Sequence, residues 1–347
     1  MGRQFFDYEY ITSGGVVGFL RPAFMRRSAA TYDAFTQEPC VLRLKVTNPN
    51  AVYLHITVTD GGSNTVEADI YYNAGDTQYF DTTEILRHAM TRAVPSYTPA
   101  DNGVQWSVEL AVRDASDNTL STDALTLYAY DAAAIASRPY YDPLPDTFRM
   151  IEDAALSTYE TACTRQMSGG LDQVFIVDQA GNLLRASTLP TDSYATAAWR
   201  FAYNAAALPS LVYIGDFQAR VVWETCNQDR AMLRWWSPVF GGYKSVIVEF
   251  RAQAAKVTGN GDYINAFDNV WARKGELSAS ARVPLCTLRD YNYYCDLYLS
   301  DEVEIYWNTR EPYARRVKVT GTPPVAPEVG TVDLEFDIML LEVGEVW

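Results

Sequence analysis

Val41-Leu42-Arg43-Leu44-Lys45-Val46-Thr47-Asn48-Pro49-Asn50-Ala51-Val52-Tyr53-Leu54-His55-Ile56-Thr57-Val58-Thr59 decides the fold class. Apolar and polar residues alternate with a period of two on either side of Asn48-Pro49-Asn50. Successive side chains of a strand leave opposite faces, so each run has one face for a core and one for solvent. Asn-Pro-Asn is turn chemistry, and the pattern predicts two strands paired as a hairpin or meander.

The same rhythm continues outward. Asp60-Gly61-Gly62-Ser63-Asn64 ends the second strand, and Thr65 to Tyr72 alternates again. Trp106–Arg113 and Ala124–Tyr130 form a further pair across Asp114-Ala115-Ser116-Asp117-Asn118. One helix interrupts: Asp81-Thr82-Thr83-Glu84 supplies an N-cap for Ile85-Leu86-Arg87-His88-Ala89-Met90, expected to close one open end of the core. Arg138-Pro139-Tyr140-Tyr141-Asp142-Pro143-Leu144-Pro145 is stiff and extended, and a helix is expected over 151–170, ending at Gly169-Gly170. Strands restart at Gln173–Val177, with Asp178-Gln179-Ala180-Gly181-Asn182 as turn, and recur to 341 around an amphipathic helix at 287–299. The expected fold is therefore mainly β: two or more β-sandwich-like domains with a few short helices. The domains are 1–135, a Pro-rich connector and helix at 136–170, and 171–347.

Composition narrows the function. The chain has 347 residues, 48% hydrophobic and 20% charged, enough to bury a core in each domain. Its net charge of -15 opposes phosphate backbones, and neither Arg21/Arg26/Arg27 nor Arg310/Arg315/Arg316 makes a basic stripe, so no nucleic-acid binding is expected. Residues 1–11 lack the pattern of a signal peptide, and no run of 18 apolar residues suggests a membrane span. The chain is read as made in a cytoplasm. Its five cysteines (Cys40, Cys163, Cys226, Cys286, Cys295) are odd in number and irregularly spaced, which fits reduced, unpaired thiols.

No catalytic, cofactor or metal constellation emerges. The two histidines, His55 on a strand and His88 on the early helix, read as surface or boundary residues. Glu224, Asp229, Glu249 and Asp268 lie near aromatics as in a sugar cleft, but among 43 acids such a choice has no specificity. Asp114/Asp117/Asn118 and Asp178/Asn182 offer oxygen ligands without an EF-hand loop, and Asx turns account for them. Aromatic pairs are more informative. In a strand, Trp235 and Trp236 face opposite sides, so one of them must meet a neighbouring domain, a subunit or a ligand. Alternation with Leu233 places Trp235 in the core and Trp236 at a contact. Tyr140, Tyr141, Tyr293 and Tyr294 are the further interface candidates, because tyrosine offers large apolar area with a polar tip.

Leu233-Arg234-Trp235-Trp236-Ser237-Pro238-Val239-Phe240-Gly241-Gly242-Tyr243-Lys244 resembles tail or baseplate structural proteins of phages infecting Bacteroidetes. Tyr294–Val303, Val332–Ile338 and Gln78–Arg87 are similar to further parts of that family. The resemblance is strongest over 210–341, and Ser237-Pro238 in the turn departs from it. It implies a virion subunit of tail, baseplate or fibre type, with copies of itself and other virion proteins as partners and no catalytic residues. A host-surface glycan is a further possible partner. The alternatives are a carbohydrate-binding β module and a glycoside hydrolase using two carboxylates.

Overall fold

The computed structural model describes residues 8–11, 16–20, 23–28, 30–46, 48–60, 62, 64–71, 73, 76–88, 90, 103–133, 144–152, 161–166, 173–188, 195–200, 206–214, 217–224, 230–239, 241–257, 275–306 and 315–340. Strands dominate, in several sheets with two short helices among the described residues, so the chain is a mainly-β, multi-domain protein.

The first half contains β1 (Tyr8–Ile11), β2 (Val16–Leu20), β3 (Phe24–Ser28), β4 (Thr31–Phe35), β5 (Val41–Val46), β6 (Tyr53–Thr59) and β7 (Thr65–Tyr71). β8 (Thr77–Asp81), α1 (Thr83–His88), β9 (Val104–Arg113) and β10 (Thr119–Tyr130) complete it. β1-β2-β5-β8 form one sheet and β3-β4-β10-β9-β6-β7 the other. The expected hairpin across Asn48-Pro49-Asn50 is therefore corrected. β5 pairs with β2 and β8, while β6 pairs with β7 and β9. The turn, closed by Ala51 N donating to Asn48 O at 3.2 Å, carries the chain between sheets. Leu42, Leu44 and Val46 meet Leu54, Ile56 and Val58 in one core, because the apolar faces of both runs can be buried only against each other. α1 adds Leu86 to that core. Asp81 accepts from Thr83 N at 2.9 Å, and Thr82 N donates to Cys40 O at 2.9 Å, so cap and edge strand are tied together.

The second half begins with β11 (Thr147–Ile151), β12 (Thr161–Gln166), β13 (Gln173–Asp178), β14 (Leu183–Thr188), β15 (Ala195–Arg200), β16 (Pro209–Ile214) and β17 (Phe217–Glu224). The helix expected over 151–170 is corrected where the chain is described, since β11 reaches Ile151 and β12 is extended from Thr161 to Gln166; residues 153–160 and 167–170 lie outside the described residues. β12 pairs with β15, and long-range pairing overrides the local helix-forming residues. β11-β17-β16-β13-β14 make a five-stranded sheet in which β11 and β17 run parallel.

β18 (Arg230–Ser237), β19 (Gly242–Val257), β20 (Gly275–Cys286), α2 (Leu288–Tyr294) with a 3-10 turn Cys295–Leu299, β21 (Val303–Tyr306), β22 (Arg315–Thr320) and β23 (Val332–Leu340) follow. These six strands close into a barrel in the order β18-β19-β20-β23-β22-β21. A closed barrel replaces the second sandwich that the alternation suggested. Its closing pair, β18 with β21, joins the two ends of that order. The five-stranded sheet and the barrel share one core, where Phe148 meets Tyr293 edge-on at 5.8 Å.

Candidate functional site

Alternation along β18 and β19 sends Leu233, Trp235 and Val246 into the barrel, and it sends Lys244 there too. Lys244 and Trp235 are directly opposed, and both are fully buried. α2 and its 3-10 extension plug the same barrel end and bring Asp296 to them. Lys244 Nζ donates to Asp296 Oδ2 at 2.9 Å and to the carbonyl of Tyr293, with the Tyr293 ring 4.0 Å away. Trp235 Nε1 donates to Asp296 Oδ1 at 3.0 Å, and the Ser237 hydroxyl donates to Oδ2. The carboxylate is thus saturated, and Lys244 also caps the carbonyl end of α2.

The other end of α2 is fixed as firmly. Thr287 and Asp290 form a capping box, and Asp290 Oδ1 also accepts from Asp146 N (2.8 Å) and Thr147 N (3.0 Å). Burial pushes the Asp290 carboxyl above its ordinary range, against the backbone donors that lower it. Tyr294 OH donates to Thr147 O at 2.8 Å. Together these bonds pin the start of β11 to the barrel.

On the outside of the barrel, charges run in a ladder from sheet to sheet. Arg149 meets Glu224 (3.4 Å), Glu224 meets Arg230 (3.0 Å), and Arg230 meets Glu249 (3.1 Å). Glu249 then meets Arg282 (3.1 Å), which meets Asp333 (2.5 Å). Arg230, Glu249 and Arg282 are directly opposite one another on β18, β19 and β20. Glu224 and Glu249, two of the four carboxylates considered for a sugar cleft, are thereby paired with arginines; Asp229 and Asp268 lie outside the described residues.

Trp236 points out of the barrel and is also buried. Its indole N–H donates to Asp131 O at 3.3 Å, its ring meets Tyr243 edge-on at 5.1 Å, and Ala133 N donates to Pro238 O at 2.7 Å. Gly241 belongs to this junction. Its φ is +71°, and a Cβ there would lie 3.0 Å from the Ala132 Cβ. Asp131 in turn accepts from Gln37 Nε2 at 2.5 Å, so residues 131–133 are clasped by the sandwich on one side and the β18–β19 turn on the other.

Of the interface candidates, Trp236 serves this contact within the chain. Tyr293 and Tyr294 are corrected. Both are 1% exposed in the barrel core, because adjacent helical residues about 100° apart can share one buried sector. Tyr140 and Tyr141 lie outside the described residues. His55 sits on the outer face of the six-stranded sheet with Asp69 at 2.6 Å, and His88 ends α1. Cys40, Cys286 and Cys295 are free thiols, and burial lifts Cys40 and Cys286 to about 12. Among the described residues, no group of three or more His, Cys, Asp and Glu side chains is arranged for a metal ion, and no helix is long and apolar enough to cross a membrane.

The alternation pattern did not reveal the surface at the α2 end of the barrel. The loop Gly321-Thr322-Pro323-Pro324-Val325-Ala326-Pro327-Glu328-Val329-Gly330-Thr331 is stiffened by three prolines and flanked by positive-φ Gly321 and Gly330. Tyr291 OH, on α2, holds it through Pro324 O at 2.8 Å. Val325 and Val329 are 91% and 95% exposed. Leu285, Leu288 and Leu299, all exposed, belong to the segments that enter and leave α2. Leu285 has φ +56°, a strained setting for a bulky residue.

No protein-family model matches the chain, and no curated protein matches it. Among solved structures, it is similar to a tetra-tandem repeat in the extending region of a large adhesion protein, with 17% identity and a TM-score of 0.19. That match covers 72% of this chain and 55% of the other, so the chain spans about half of that protein's length. It is also similar to a Ca2+-stabilized adhesin that helps an Antarctic bacterium bind ice, with 11% identity and a TM-score of 0.18, covering 90% of this chain and 96% of that one. TM-scores this low establish no common topology.

Proposed function

We propose that the chain is a structural subunit of a bacteriophage virion, of tail, baseplate or fibre type, whose barrel end seats on a neighbouring subunit. The observation that carries the reading is the Pro-stiffened loop, held to α2 by the Tyr291 hydroxyl at Pro324 O, that presents Val325 and Val329 almost fully to solvent. Aliphatic side chains held out in solvent by a stiff loop mark a contact surface, and a loop already held in place loses little entropy on docking. The ion pairs support a mechanical role, because the buried Lys244–Asp296 pair fixes the α2 plug to the barrel wall and the Arg149-to-Asp333 ladder outside joins the five-stranded sheet to the barrel. Such a subunit works by holding its shape under load.

The test is assembly. Virions purified from the producing phage should contain the chain by mass spectrometry. A Val325→Asp/Val329→Asp variant should fold with an unchanged melting temperature yet be missing from the particles. Particles without the chain would reject the virion reading, and normal incorporation of the double variant would reject this surface.

A further inference from the structure

The outer face of the sandwich's six-stranded sheet carries a polar and aromatic group that the assembly reading leaves unused. Strand register places Tyr71, Tyr53 and Arg113 in one row across β7, β6 and β9, and Asp69 and His55 side by side in the next. Tyr71 lies on an edge strand and is 69% exposed, with its ring 5.3 Å from the Tyr53 ring. The β9–β10 turn brings in Asp117, whose φ of +64° is unusual for a residue other than glycine. Asp117 Oδ1 accepts from Arg113 Nη1 at 2.8 Å and from the Tyr53 hydroxyl. These bonds, the Tyr53 one first, hold the Asp117 carboxyl below its usual range, so it is an anion at neutral pH.

What remains open is the useful part. Both bonds to Asp117 fall on Oδ1, and the bond from His55 falls on Oδ1 of Asp69. The second oxygen of each carboxylate is left as an acceptor. The partly exposed guanidinium of Arg113 is held by Asp117 at 2.8 Å, and the pair stands beside the exposed tyrosine face. An aromatic platform ringed by fixed acceptors and a planar donor fork matches one kind of ligand. The C–H face of a pyranose packs on a ring while its hydroxyls donate to carboxylates and accept from guanidinium.

We propose that this face, centred on Tyr71 with Tyr53, Arg113, Asp117, His55 and Asp69, binds a neutral, hydroxyl-rich glycan. Neutrality follows from charge, because a chain of net -15 repels sialylated and uronic-acid sugars. The proposal goes beyond the assembly reading and is independent of it, since the residues belong to the sandwich and not to the barrel end.

The test uses the isolated full chain on an array of neutral hexose and N-acetylhexosamine oligosaccharides beside sialylated and uronic-acid glycans. Binding is expected on neutral members only. Tyr71→Ala should weaken it at least tenfold, Tyr71→Phe should keep it, and Asp69→Ala should weaken it several-fold, all with unchanged melting temperatures. No binding above background, binding confined to acidic glycans, or a Tyr71→Ala chain that binds like the parent would each overturn the proposal. A virion-associated chain without glycan binding would overturn this inference and leave the assembly reading standing.

Discussion

A lysine inside a barrel is tolerable only if its charge is met on the spot, and Lys244 meets Asp296, the Tyr293 carbonyl and the Tyr293 ring at once. Buried ion pairs can often be replaced by apolar residues at little cost, but this carboxylate is also the acceptor for Trp235 and Ser237. Lys244→Met should therefore cost about 3–5 kcal/mol by leaving Asp296 buried and uncompensated. The double variant Lys244→Met/Asp296→Leu should recover little, because orphaned Trp235 and Ser237 donors each cost about 1–3 kcal/mol. Urea unfolding of the three chains decides the matter. A double variant as stable as the parent would mean that the pair is dispensable. Nothing in the alternation marks Lys244 as special, because a lysine at an inward position reads as a break in the pattern until its partner, 52 residues away, is known.

At the scale of elements, one loop design recurs in both halves of the chain. Asp60–Asn64, Asp114–Asn118 and Asp178–Asn182 each close a hairpin: β6 with β7, β9 with β10, and β13 with β14. In each, the Asp N–H donates to the Asn carbonyl, at 3.3, 3.1 and 3.0 Å, and the Asn N–H donates back to the Asp carboxylate, at 3.3, 2.9 and 2.8 Å. The fourth residue is left-handed where it is described, Asp117 at +64° and Gly181 at +83°. Donation from backbone and Asn side chains lowers all three Asp carboxyls, in Asp60 chiefly through Gly62 N and in Asp114 and Asp178 chiefly through the Asn amides. A carboxyl lowered in the folded state stabilises above its unfolded value, and this stabilisation is lost as pH falls through the folded value. Asp114→Ala and Asp178→Ala should thus lower the melting temperature more at pH 7 than at pH 2. Equal losses at both pH values would assign the effect to loop shape instead of charge. These turns were readable, because Asp and Asn at a spacing of four between alternating runs carry their own bonding partners. Sheet membership was not, because a turn such as Asn48-Pro49-Asn50 serves a hairpin and a crossing between sheets equally well.

For the whole molecule, alternation told which face of each strand is buried but not which strand lies beside it. A mainly-β protein with two cores was legible, while barrel closure was not, since it rests on the pairing of β18 with β21 about 70 residues on. The described core of the first half draws only on residues from Ala23 to Ala129, and that of the second on residues from Leu144 to Ile338. A fragment of residues 1–133 should therefore fold cooperatively alone, with dispersed amide resonances and a single urea transition. The two halves are not loosely strung, however. Trp236, Pro238 and Gly241 grip residues 131–133 at the point where the chain leaves the sandwich. Trp236→Ala removes that grip and should destabilise the barrel half by about 3–5 kcal/mol, as truncation of a buried tryptophan does. It should leave the transition of the sandwich at the value of the isolated fragment, and it should speed proteolysis between 133 and 144. Trp235→Ala should cost the barrel a similar amount without exposing that stretch. Calorimetry of the two full-length variants, alongside proteolysis mapped by mass spectrometry, separates the roles. If Trp236→Ala lowers the melting of the barrel half but leaves cleavage unchanged, the junction contributes nothing to joining the halves, and the buried indole is ordinary barrel packing.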